Sequence, residues 1–227
     1  MPYPLKETAF KKLPVFIIAS LMASMAGYIN SAMLIEFALP VSQMTGVASR
    51  ISDSISHGNF LQLGNSITIL LAFLLGAFLS GLMIGRRQYR QNNAYGYGLL
   101  CIGGLLTTSS ILSYEHLESS VLLAAIACGF QNALIASYRG LQIRTTHITG
   151  IITDIGVCLA SYSKDRTTWD WQASLLVVLS VSFIAGGIFG VLAYQAFPNQ
   201  AMILPAALMT SLGALYLIRS ASAGKID

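Results

Sequence analysis

The chain has 227 residues, 55% of them hydrophobic and 10% charged, with a formal net charge of +4. A soluble domain carries about 25% charged residues, so this chain has too little polar surface to cover a water-soluble globule. The excess of Lys and Arg does not mark a nucleic-acid partner, because its placement along the chain has a simpler cause, set out below.

In chain order, Lys6, Lys11 and Lys12 precede 23 uncharged residues that run to Glu36. The run is longer than the apolar core of a signal peptide, about 7–15 residues, and predicts a retained first crossing over about 14–36. A bilayer core of roughly 30 Å needs about 20 apolar residues at roughly 1.5 Å each. Next comes a polar segment, 41–57, with Arg50, Asp53 and five serines. The 32 residues between Asp53 and Arg86 hold no Asp, Glu, Lys or Arg and predict a crossing over 63–85. The 24 between Arg90 and Glu115 and the 20 between Glu118 and Arg139 predict crossings over 95–113 and 119–138. A second polar segment, 145–163, carries Asp154 among many Thr and Ser. The 48 uncharged residues between Asp170 and Arg219 would make one helix of roughly 72 Å. They therefore hold two crossings, 174–196 and 201–218, broken at Phe197-Pro198-Asn199-Gln200.

Six crossings with a cytoplasmic N-terminus place twelve of the thirteen basic residues on the cytoplasmic side, all but Arg50. Glu36, Glu115 and Glu118 fall on the other side. This is the positive-inside pattern, and it puts both termini in the cytoplasm. A full crossing over 41–57 would put Arg86, Arg87 and Arg90 outside.

The chain also resembles itself. Gly27-Tyr28-Ile29-Asn30 matches Gly129-Phe130-Gln131-Asn132. Ser42-Gln43-Met44-Thr45-Gly46 matches Thr146-His147-Ile148-Thr149-Gly150. Gly76, with Ser80 four residues on, matches Gly186 with Gly190. The order is the same in both halves, which predicts a duplication within a single transmembrane domain over 1–227. Repeat one covers about 12–113 and repeat two about 118–219. With three crossings in each half, the repeats must be inverted about an axis in the membrane plane, a transporter plan that places its site near the midplane. The expected fold is all-α: a polytopic transmembrane bundle of two inverted-topology repeats, with about six crossings plus two polar re-entrant half-helices.

Those half-helices are the two polar segments. Each is expected to enter the membrane as an extended arm and to start a short helix near Thr45-Gly46 or Thr149-Gly150, with Thr as an acceptable N-cap. Non-helical backbone at that depth needs protein or a water-filled cavity around it. Two inward N-termini would offer free N–H groups and partial positive charge to an anion or polar neutral solute. The plainer reading is two capped surface helices. Asn30 and Asn132 fall within crossings one and four. They read as ligand contacts or as interhelical hydrogen bonds beside Gly27 and Gly129.

Arg50 and Asp154 occupy matching positions, which suggests a structural charge pair; the local alternative pairs Arg50 with Asp53. Arg144 and His147 could draw an anion towards the second half-helix, or Arg144 could be a plain membrane anchor. The candidate ligand-binding set is Asn30, Thr45, Gly46, Asn132, Arg144, Thr149, Gly150 and Asp154. Cys101, Cys128 and Cys158 have unrelated spacings and read as reduced packing residues rather than a disulfide or zinc set. His57 and His116 read as isolated loop residues. Trp169 and Trp171 read as interfacial anchors, and the glycine pairs as helix contacts rather than cofactor loops. No catalytic residue, metal site or cofactor is expected, and no nucleotide or nucleophile motif is present.

At Ile143-Arg144-Thr145-Thr146-His147-Ile148-Thr149-Gly150, followed by Thr153-Asp154, the sequence resembles the YoaK-like bacterial membrane proteins. The resemblance extends through Met44-Thr45-Gly46, Gly27-xx-Asn30 and Gly129-xx-Asn132, so it covers nearly the whole chain. That family has no assigned function. The resemblance implies a bacterial inner-membrane location and a compact helical fold, and it supplies no substrate. Two departures stand out. Val47 follows Gly46 where the family pattern reads Thr-Gly-Asn, and Asn30 stands where relatives often carry Asp. A proton or ion held by that Asp has no counterpart here.

The leading expectation is a small secondary transporter or channel-like permease for a small anionic or polar solute, set in the lipid bilayer. The small chain suggests a homodimer. One alternative is a non-transporting scaffold or sensor subunit. Another is an intramembrane enzyme acting on a lipid, for which only Asp154 with His147 offers a candidate pair.

Overall fold

The computed structural model describes residues 12–85, 93–114, 119–136 and 145–223. Among them there is no strand. The helices are α1 (Lys12–Phe37), α2 (Met44–Ser56), α3 (Phe60–Ile84), α4 (Ala94–Tyr114), α5 (Ser119–Ala136), α6 (Ile148–Lys164), α7 (Trp171–Ala196) and α8 (Ile203–Ala223). All but α2 and α6 are long and apolar enough to cross a membrane, and these six fall on the six apolar runs. α2 is the shortest helix, with 13 residues, whereas α6, with 17, is nearly as long as α5, with 18.

Local chemistry sets the boundaries. Asn59 caps α3 by accepting from the Gln62 N–H at 3.1 Å, and Gly85 ends it with φ +64°. Asp170 caps α7 by accepting from the Ala173 N–H at 2.8 Å. The break predicted at Phe197–Gln200 is a 3-10 turn over Pro198–Gln200. A second such turn, Arg166–Thr168, links α6 to α7. There the Thr167 backbone N–H, and then its hydroxyl, hold the exposed Asp165 carboxyl below the usual carboxylate range. Asp165 therefore stays ionised as pH falls through the range where a free Asp takes up its proton. Beside it the Trp169 indole donates to the Ser174 hydroxyl at 2.9 Å and meets the Tyr162 ring edge-on.

The most enclosed helices are α1 and α5. α1 lies along α7, α5 lies along α3, and α1 also touches α5. Small residues set these approaches. A Cβ on Gly27 would stand 2.0 Å from the Phe183 carbonyl oxygen, and one on Gly186 would stand 1.9 Å from that of Ser24. On the other pair, a Cβ on Gly129 would stand 2.0 Å from the Phe73 carbonyl oxygen, and one on Gly76 would stand 2.0 Å from that of Ile126. α4 packs on α5 and α8; α2 leans on α3, and α6 on α7. Leu71, Leu74, Phe78 and Leu82 of α3 stand exposed, as do Val181, Ile184, Ile188 and Phe189 of α7. Contiguous apolar faces of this size fit lipid and not water. The chain is a multi-pass helical membrane protein.

Candidate functional site at the ends of two half-helices

α1 ends at Phe37, and the chain reverses at Ala38, whose φ is +54°. The next residues run back along α1. Ser42 donates to the Asn30 side-chain oxygen twice, from its backbone N–H at 3.1 Å and from its hydroxyl at 3.0 Å. Asn30 lies seven residues before Phe37, so the arm returns by roughly 10 Å along the helix axis. Both ends of this contact are buried, Asn30 at 2% and Ser42 at 3% exposure. α2 starts at this depth. Its 13 residues extend roughly 20 Å, too short to span a 30 Å core, and it leads back to the start of α3.

The second half has a related, single contact. The Thr146 hydroxyl donates to the Asn132 side-chain oxygen at 3.2 Å, and α6 begins two residues later. Ser42 and Thr146 are matched positions in the sequence comparison, so each Asn holds the corresponding arm. Gln131, next to Asn132, donates from Nε2 to the Met22 carbonyl at 2.8 Å. This fixes the level of α6 relative to α1. Asn30 is eight residues beyond Met22, so the two half-helix starts lie roughly 12 Å apart along α1.

Neither start carries a side-chain cap. The N-cap residues are Gln43 and His147, and neither makes a capping hydrogen bond. This corrects the expectation that Thr45 and Thr149 cap these helices. Both threonines lie inside the first turn, and both are exposed. The His147 ring lies over Gly150, where a Cβ would stand 2.3 Å from Nδ1, so glycine leaves room for the ring. Gly46 is open apart from the Pro40 ring, which a Cβ would meet at 3.8 Å. Asp154 is exposed on α6.

The expected pairing of Arg50 with Asp154 does not form. Arg50 Nη1 donates to the Ala38 carbonyl and so closes the turn into the first arm. α2 and α6 lean on different long helices and have no extensive contact with each other. The local alternative fails as well, because Asp53 meets His57 instead, at 3.2 Å. Arg144 lies outside the described residues, as does His116. Among the described residues no hydrogen bond or ion pair joins the His147 and Asp154 side chains.

A pocket of about 210 Å³ lies near the end of α1 and the starts of α3 and α5, with Asn65, Thr68 and Ser119 as its polar lining. A larger cleft, of about 590 Å³, opens between α1 and α8 at the opposite end of the bundle. Neither is lined by Thr45, Gly46, Thr149 or Gly150. The sequence reading missed Ser42 and Thr146 as the partners of the two asparagines. Their matched register was the available signal. It also missed the cleft, whose aliphatic lining carries no motif.

No curated protein and no solved structure matches the chain. A family profile described as a protein of unknown function, DUF1275, matches residues 18–215. With both half-helix starts inside the matched span, the chain belongs to this family.

Proposed function

We propose that the chain is a small secondary transporter or channel-like permease for a small anionic or polar solute. One observation carries this reading: two helices begin, uncapped, at the depth of the buried Asn30 and next to Asn132. Uncapped N-termini present N–H groups and partial positive charge, and surroundings of low dielectric strengthen both. The solute would sit between the starts of α2 and α6, against Asn132, Thr45, Gly46, Thr149 and Gly150. We read the two halves as inverted repeats, because α1 lies on α7 as α5 lies on α3, and movement of one half against the other would alternate access.

Thr45, Thr149 and Asp154 are exposed in the single chain. Lipid cannot satisfy such groups, so water or a second copy must cover them, which supports a homodimer. The location would be the bacterial inner membrane, with both termini cytoplasmic.

The test is a thermal-shift screen of detergent-purified protein against small anions and polar metabolites at fixed ionic strength, followed by flux into liposomes. A solute held at a hundred times its Kd stabilises the folded state by about 2.7 kcal/mol. The expected result is one solute that shifts the wild type, fails to shift Thr149→Val, and crosses liposomes only when the protein is present. Liposomes that stay impermeant to every solute, with no shift for any, would leave the scaffold as the better description.

A further inference from the structure

The cleft between α1 and α8 exists because α8 packs along α4 yet scarcely touches α1. The α4–α8 crossing is tight. A Cβ on Gly96 would stand 2.6 Å from the Leu217 side chain, and one on Gly213 would stand 2.9 Å from the Gly96 carbonyl oxygen. α8 is therefore fixed to α4, and a wedge stays open on its α1 side. At about 590 Å³ the wedge lies within the range of small-molecule sites, roughly 300–1,000 Å³. Leu21, Leu99, Leu134 and Leu212 contribute its aliphatic walls, one from each of four helices.

Its polar residues are confined to one end. Tyr95 stands near the start of α4, and Tyr216, Arg219 and Ser220 stand in the last turns of α8. The two tyrosine rings are 6.5 Å apart. Ser220 donates to the Asn93 side-chain oxygen at 2.6 Å, which ties the end of α8 to the start of α4. Among the described residues no acidic side chain lines the cleft, and Arg219 forms no ion pair there.

We propose that this cleft binds an anionic amphiphile, a carboxylate or phosphate head carried on an alkyl chain. The head meets Arg219 at the membrane surface, and the chain lies between the leucines of α1, α4, α5 and α8. A fully polar solute would lose its hydration against these walls and gain no partner. An uncharged chain would leave Arg219 unused. The α2 and α6 starts lie beside Asn30 and Asn132 and contribute no residue to the cleft lining, so this proposal stands apart from the solute reading and is tested by different variants.

The experiment uses the full chain in nanodiscs of zwitterionic lipid. Two probes carry the same mid-chain diazirine: a long-chain alkyl carboxylate and an anionic diacyl phospholipid. Photolabelled peptides are mapped by mass spectrometry. We expect saturable labelling of peptides containing Leu21, Leu99, Leu134 and Leu212, competed by the unlabelled amphiphile. Arg219→Gln should weaken it about tenfold, the loss of one charge-assisted contact, while Arg219→Lys keeps most of it. Leu212→Trp should fill the cleft and abolish labelling. Preferred labelling by the carboxylate identifies a free amphiphile as the ligand, and preferred labelling by the phospholipid identifies a membrane lipid. Labelling spread over the exposed faces of α3 and α7, and unchanged in Arg219→Gln, would overturn the proposal. Arg219 is exposed, so its variants decide the matter even if Leu212→Trp does not fold.

Discussion

Neighbouring glycines in this chain do different things. A Cβ on Gly103 would stand 2.2 Å from the Thr210 hydroxyl oxygen, whereas one on Gly104 would meet nothing within 4 Å. Both lie in the same apolar run, and the sequence does not tell them apart, because the difference lies in the facing helix. Gly27, Gly76, Gly129 and Gly186 were legible, since they recur in register. We predict that Gly186→Val destabilises the protein by about 1–3 kcal/mol through overpacking against α1. Gly104→Ala should change stability by less than about 1 kcal/mol, in the stabilising direction. Thermal unfolding in detergent measures both, and equal stabilities would contradict the described α1–α7 approach. Asn30 gives a second case at this scale. Asn30→Ala strands the buried Ser42 backbone N–H and should cost about 1–3 kcal/mol. Ser42→Ala removes one of two hydrogen bonds and should cost less. The reverse order would show that Asn30 is not what holds the arm.

The six long helices were legible because charge is missing over whole spans. Observed ends differ from the predicted ones by a few residues, as when α3 begins at Phe60 and α7 at Trp171. Caps account for these shifts: Asn59 and Asp170 accept the first free N–H groups ahead of the apolar runs. The two less apolar helices, α2 and α6, were legible as polar interruptions, but their partners were not. Matched positions of opposite charge suggested that Arg50 and Asp154 meet, whereas α2 and α6 lean on separate helices and Arg50 turns to the Ala38 carbonyl. We predict that Arg50→Ala and Asp154→Ala are additive in stability within about 0.5 kcal/mol. Arg50→Ala should be the costlier, because it releases the turn at Ala38. A double-mutant cycle in chemical denaturation measures this, and a coupling above about 1 kcal/mol would show that the two charges do interact.

At the scale of the molecule, α1 and α5 form the enclosed centre. α3 and α7 give it lipid-facing flanks, and α4 and α8 pack beside it. That composition calls for a membrane was plain from the charge alone. The wedge beside α8 was not, because it comes from helices that fail to meet, and no run or motif records a missing contact. Re-entrant arms would separate this architecture from a plain eight-span bundle. If α2 and α6 only enter the bilayer, His57 lies on the face opposite both chain ends, and Thr168 lies on the same face as the ends. If they cross it fully, His57 and Thr168 share a face.

The direct measurement is sided labelling of His57→Cys and Thr168→Cys with a membrane-impermeant thiol reagent, in a background where Cys101, Cys128 and Cys158 are replaced by Ala. Intact cells and inside-out vesicles are compared. We predict that His57→Cys is labelled in intact cells and Thr168→Cys in inside-out vesicles. Labelling of both from the same side would contradict re-entrant arms, and with them the site between the two half-helix starts.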